Sequence, residues 1–292
     1  MRPSSDPAGK TFLLGTGCQK GGTTWLFRYL KTSPQYVRGY MKEYHVFDAL
    51  DLETEQLTRN RIMRKAAEAV AAVREGGKVN AMALHRMSMY GNPQYYYDYF
   101  AGILATRPEG RVTADMTPDY GMLPASRFQE IRAAFNERGV RTVSVFLMRD
   151  PVQRIWSHLR MQAQRFPTMF TQPLPDVLLE RHADDNYALR TRYDRTIAAL
   201  DEAFDRDQLY LGFYEQLFTE PSVREICTLL GIDYVDPDFD VRRNASAAPP
   251  EELPDDTVRA VASHFAEVYD VVAARLPDVD LEALWPSARH VR

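Results

Sequence analysis

This chain of 292 residues has two cysteines, no long apolar run, and no lysine at the place where a glycine-rich phosphate loop usually carries one. Cys18 lies in a glycine-rich stretch and Cys227 in an apolar helical one, so a disulfide between them is not expected. A reduced, cytoplasmic setting follows. No apolar stretch nears the roughly 20 residues that span a bilayer. The start, MRPSSDPAGK, lacks an apolar core and reads as a flexible tail over residues 1–10, not as a secretory signal. A net charge of −4 argues against general nucleic-acid binding, though it leaves room for a local basic cleft. His45, His85, His158, His182, His264 and His290 show no paired spacing with cysteine or glutamate, so no metal is expected.

Hydrophobic residues at 45% and charged residues at 26% are those of an ordinary globular protein. Four short apolar runs read as buried strands: residues 11–14 (TFLL), 111–114, 142–148 (TVSVFLM) and 209–213 (LYLGF). Helical patterns lie between them, over residues 24–31, 56–74, 126–138, 222–230 and 255–275. Strands alternating with helices predict a single domain over residues 1–292. Its expected fold is a P-loop-like, three-layer α/β arrangement, a central parallel sheet of about five strands with helices on both faces.

The chemistry starts at GTGCQKGGTTWL, residues 15–26. Strand, glycine loop and helix bring backbone N–H groups and a helix N-terminus to one anion. An ATP-binding loop reads G-x-x-x-x-G-K-[ST]. Here Lys20 precedes Gly21 and Gly22, and Thr23 and Thr24 follow with no lysine between. On the loop alone, a tight turn without a ligand remains open. A second segment, MRDPVQRIWSH, puts Arg149 at the carboxyl end of a strand, where ligands bind in open parallel sheets. Ser157 follows two helical turns later, and a planar guanidinium with a hydroxyl suits one phosphate. The third segment, LYLGFYEQLFTEP, joins a strand to Tyr214, Glu215 and a helix.

Together these segments resemble the sulfotransferases that use 3′-phosphoadenosine 5′-phosphosulfate (PAPS), from about residue 11 to 246. The family's K-x-G-T-T-W-L is matched by residues 20–26, its R-D-P-x-x-R-x-x-S by residues 149–157, and its third stretch by residues 209–217 (LYLGFYEQL). The resemblance implies PAPS as co-substrate, PAP as product, and no metal. It implies that Lys20 meets the bridging oxygen and that Gly21, Gly22, Thr23 and Thr24 hold the 5′-phosphate. Arg149 and Ser157 would take the 3′-phosphate, Trp25 and Tyr214 the adenine side, and Arg243, in RRNAS, a loop over the nucleotide.

KEYHVFD, residues 42–48, is similar to the K-E-P-H-F-F-D segment of the heparan sulfate branch. That likeness implies Glu43 as general base, Lys42 as its helper and His45 as the rival base. Two departures stand out. Tyr44 replaces the branch's proline, and Met116, in DMTPDY, replaces a catalytic lysine. Asp115 and Asp119 read as a strand-end and a turn carboxylate. The acceptor is expected to be a small molecule, glycan or lipid, and the enzyme bacterial and cytoplasmic. An ATP-dependent small-molecule kinase and a nucleotide-binding homologue without catalysis are the alternative readings.

Overall fold

Alternation within the strands decides the layers. In the computed structural model, which describes residues 9–239 and 253–291, Phe12 and Leu14 point to one apolar cluster and Leu13 to another. The longest strand divides the same way, with Val140, Phe146 and Met148 on the first side and Val143, Val145 and Leu147 on the second. Successive side chains of a strand face opposite ways, so a sheet apolar on both faces must be covered on both.

The strands are β1 (Lys10–Gly15), β2 (Val112–Asp115), β3 (Val140–Met148) and β4 (Leu209–Phe213). All pairings are parallel, in the order β2-β1-β3-β4. One face carries the helices Thr23–Leu30 (α1) and Glu220–Leu230. The other carries Pro93–Ala105, Ala125–Asn136, Pro151–Arg165 and Tyr193–Ala203. This is the P-loop-like α/β fold expected, with four strands among the described residues in place of about five. At the β2 edge the chain makes a single parallel bridge, Tyr36 to Val112, before turning away, so no further strand forms there.

Other boundaries also move, β2 by one residue and the start of β3 by two. Lys10 opens β1, its ammonium tied to the carbonyls of Arg107, Pro108 and Gly110, so the expected tail ends before it. The last helical stretch is two helices, Asp255–His264 and Ala266–Arg275. Phe265 breaks it by leaving helical geometry while its ring is buried in the core. No described helix is long and apolar enough to cross a membrane.

The strand order also places a crevice. β1 has β2 on one side and β3 on the other, so connections leave the carboxyl ends of β1 and β3 in different directions. Ligands bind at such switch points in open sheets.

Candidate active site

The loop after β1 is stapled to β3. Thr16 N donates to the Val145 carbonyl (3.0 Å), Cys18 N to that of Leu147 (2.8 Å), and Leu147 N returns a bond to Gly17 (2.8 Å). Gly21 cannot be replaced without collision, because a Cβ there would run into the Leu147 carbonyl and the Cys18 sulfur. Gly22 precedes α1 in the left-handed region, φ 91°, and a Cβ on it would lie 2.6 Å from Leu217 and 3.2 Å from the Tyr214 ring. No side chain caps α1. Thr23 and Thr24 are its first two residues, so their N–H groups belong to the first turn that lacks intrahelical partners. The Gly21 N–H closes the loop by donating to the Cys18 carbonyl (3.0 Å), which leaves the open helix end after Gly22 as the source of backbone donors for an anion.

Lys20 takes a left-handed backbone, φ 71°, and its ammonium lies 3.7 Å from the Met161 sulfur. Burial lowers its pKa, and the charges of Arg149 and Arg160 lower it further. Those causes describe a site rich in positive charge. Arg149 stands directly after β3. Its guanidinium donates to the Lys20 carbonyl (3.3 Å) and covers the Tyr214 ring at 4.5 Å. Residues 20 and 149 are thus neighbours, close enough for the Arg149 charge to act on the Lys20 ammonium. Asp150 is not the partner of Arg149. Its carboxylate caps the helix Pro151–Arg165 through the N–H groups of Val152 (2.9 Å) and Gln153 (3.3 Å), and binds Ser287 on its other oxygen. Ser157 is half-buried on that helix.

Tyr214 opens the helix after β4 and packs edge-on against Phe218 at 5.3 Å. Trp25, on α1, meets the same Phe218 at 5.2 Å and stacks on Tyr29 and Phe239. Trp25 and Tyr214 are therefore joined by an aromatic wall running from α1 to the segment after β4. Arg243 and the rest of RRNAS lie outside the described residues.

The other half of the site comes from residues 42–48. Backbone bonds fasten it to the end of β2: Met116 N donates to the Lys42 carbonyl (2.8 Å), Tyr44 N to Asp115 Oδ1 (3.2 Å), His45 N to Thr117 Oγ1 (3.3 Å) and Val46 N to the Tyr120 hydroxyl (3.1 Å). Asp115 is fully buried, and burial raises its pKa to about 6 against the hydrogen bonds from Thr117, Tyr44, Tyr120 and Tyr96. It acts as a structural anchor, as a strand-end carboxylate should. Tyr44, where the related branch has proline, is buried in the aromatic core and holds the preceding turn by accepting from Tyr40 N at 2.8 Å.

On this frame the charges form a chain. Lys42 Nζ donates to Thr23 Oγ1 at 3.1 Å and to Glu43 Oε1 at 2.6 Å. His45 Nε2 is 3.5 Å from Glu43 Oε2, while its Nδ1 is 2.6 Å from Asp48 and 3.7 Å from Asp119. Asp119 in turn pairs with Arg190 at 2.6 Å, and Arg190 with Glu55. Burial would raise the Glu43 pKa, but the His45 hydrogen bond and the Lys42 charge outweigh it and hold Glu43 down at about 2. Burial would lower His45, but Asp48 and Glu43 outweigh it and lift it to about 10. At neutral pH the arrangement is therefore a carboxylate gripped by an ammonium and an imidazolium. His45 is thus charged and has no free lone pair to accept a proton.

The ligand atoms of His45, Asp48 and Asp119 lie within 4.8 Å of one another, a proximity their sequence spacing does not reveal. Here the imidazolium and the Arg190 guanidinium already answer the two carboxylates. Met116 is fully buried and packs against Gly15 in the apolar cluster of the second side, so its side chain fills space in the core. Of the aromatic run at residues 95–99, Tyr96 and Tyr97 are core. Tyr99 stacks on exposed Tyr40, and the His85 ring sits edge-on to both at 4.6 Å.

A profile described as "Sulfotransferase family" matches residues 13–237 of this chain. The structure is similar to that of a sulfotransferase from Alicyclobacillus acidocaldarius, with a TM-score of 0.59, 19% identity, and 92% of this chain and 96% of that one covered. The sulfotransferase domain of the Synechococcus PCC 7002 olefin synthase aligns at a TM-score of 0.44 and 19% identity, covering 90% of this chain and 96% of its own. That of the curacin biosynthetic pathway aligns at 0.46 and 16%, covering 88% and 97%. No curated protein matches the chain significantly.

Proposed function

The chain belongs to the sulfotransferase family, and we propose that it moves a sulfonate group from PAPS to a hydroxyl or amine, with Glu43 as general base. The observation that carries this reading is that Arg149 bonds to the loop carrying Lys20, which leads into the uncapped first turn of α1, while Glu43 is joined to that turn through Lys42. In the proposed reaction the acceptor oxygen or nitrogen forms a bond to sulfur, in line with the breaking bond from sulfur to the 5′-phosphate oxygen. The acceptor proton passes to Glu43 and then to water. Lys20 and the amides at residues 22–24 stabilise the charge gathering on the departing phosphate, with Gly21 shaping the loop, so the contribution is mainly positioning and electrostatics.

A pKa of about 2 makes Glu43 a weak base toward a free alcohol. It suffices late in the transfer, because an oxygen already bonding to sulfur has become strongly acidic. Lys42 then offsets part of the charge that the family ordinarily meets with a lysine at the position of Met116. Arg149 and Ser157 are assigned to the 3′-phosphate, and Trp25 and Tyr214 to the adenine side. The acceptor is a small molecule, glycan or lipid. Two buried free cysteines fit a reducing, bacterial cytoplasmic setting.

An ATP kinase fits less well, since β3 runs into Arg149 and supplies no aspartate suited to Mg²⁺. Labelled sulfonate transfer from PAPS to a panel of alcohols, phenols, sugars and amines tests the proposal, with Glu43→Gln and Lys20→Ala alongside. Transfer by the wild type that both variants lose supports it. PAP binding without turnover on any acceptor supports the non-catalytic homologue instead.

A further inference from the structure

Arg154 is fully buried in the fourth position of the helix Pro151–Arg165. Its Nη2 donates to the Tyr187 carbonyl at 2.9 Å, its Nη1 lies 3.4 Å from Gln19 Oε1, and its Nε has no hydrogen-bond partner. No ion pair among the described residues includes it, and the acids on the neighbouring Arg190, Asp119 and Glu55, are spent on that arginine. Its other neighbours are neutral. Burial keeps the Cys18 thiol and the Tyr193 phenol protonated. His158, one turn further along the helix, is held uncharged, its pKa pushed down to about 3 by burial and then by Arg154, Arg190 and Lys20.

A buried guanidinium with no counter-charge is costly, and proteins nearly always pair it. The loop it touches is the one that carries Lys20, and Gln19 is the residue just before that lysine. In a low-dielectric interior a fixed charge acts over several ångströms without direct contact. We propose that Arg154 is a positioning residue for the sulfonate donor: from behind residues 17–19 it holds Gln19 and supplies a fixed positive potential that the anionic phosphosulfate of the bound nucleotide completes. This rests on the donor reading above. It adds a residue that does not touch the nucleotide, and it says that the charge itself matters and not only the packing.

The test is calorimetric titration of PAP into wild type, Arg154→Met and Arg154→Lys, with melting temperatures of the free proteins and steady-state kinetics in PAPS. Arg154→Met removes an uncompensated charge, so the free protein should melt no lower than wild type. Its PAP affinity should fall about tenfold or more, with KM for PAPS rising more than kcat falls. Arg154→Lys should recover most of the affinity. Three results overturn the inference: PAP affinity in Arg154→Met within twofold of wild type, equal losses in both variants alongside lower melting temperatures, or an Arg154→Met that fails to fold while Arg154→Lys folds. Wild-type protein that binds no PAP at all is a different failure, since it removes the donor reading and this inference with it.

Discussion

Lys42 Nζ and Glu43 Oε1 lie 2.6 Å apart, and the same ammonium reaches Thr23 Oγ1 at 3.1 Å on the first turn of α1. One cation therefore ties the carboxylate to the uncapped amino-terminal end of the helix. Lys42→Met should lower kcat about 10- to 100-fold, as loss of a charge-stabilising donor does. Removing a neighbouring cation raises a carboxylate pKa, so the acid limb of the pH–rate profile should move up from about 2 toward the ordinary 4.5. An unmoved acid limb would mean that Lys42 does not set the state of Glu43.

Glu43→Gln keeps the shape and removes the proton acceptor. Turnover should fall by about 10²–10⁴, while PAP affinity stays near that of wild type, because Glu43 reaches α1 only through Lys42. Near-normal turnover in this variant would assign the base elsewhere.

His45 makes a signed prediction about stability. Its folded pKa is raised from 6.5 to about 10, so its ion pairs stabilise the fold fully below pH 6.5 and are lost as pH rises through about 10. Urea unfolding midpoints should decline across that window in wild type, and His45→Asn should be less stable at pH 6 with a flatter decline. Identical pH slopes for the two proteins would show that His45 is not charged in the native state.

Gly22→Ala probes the loop. The left-handed backbone costs an alanine roughly 1–2 kcal/mol, and the new Cβ would press on Leu217 and the Tyr214 ring. Chemical denaturation should show a loss of that order or more, together with weaker PAP binding. A variant as stable as wild type would mean that the loop relaxes freely.

The strands and the glycine loop were legible in the sequence because each is local. Phe12, Leu13 and Leu14 announce a strand buried on both faces, and LYLGF at residues 209–213 is β4 to the residue. Pro151 marks the first turn of its helix and Gly231 ends another in the left-handed region, both through fixed backbone preferences. The expected extra strand came from typical sheet size, not from a fifth apolar run. The charge chain was not legible. Asp119 and Arg190 are 71 residues apart and Glu55 and Arg190 are 135 apart, so only the folded chain brings them to the segment carrying Glu43. Asp48 is visible in KEYHVFD, but its bond to His45 goes with the left-handed backbone at His45, φ 52°. Arg154 was hidden for a related reason. Its position in R-D-P-x-x-R-x-x-S is visible, whereas its burial without an acidic partner appears only once Tyr187 and Gln19 surround it.

The central claim is that Lys20, Arg149 and the amides opening α1 grip a sulfated adenosine bisphosphate and not a triphosphate. Calorimetric titration of PAP and of Mg·ATP into wild type, Lys20→Ala and Arg149→Ala tests it most directly. The account predicts tight PAP binding by wild type, a loss of about tenfold or more in each variant, and no comparable binding of Mg·ATP. Tight Mg·ATP binding with none of PAP, or PAP binding indifferent to both substitutions, would contradict it.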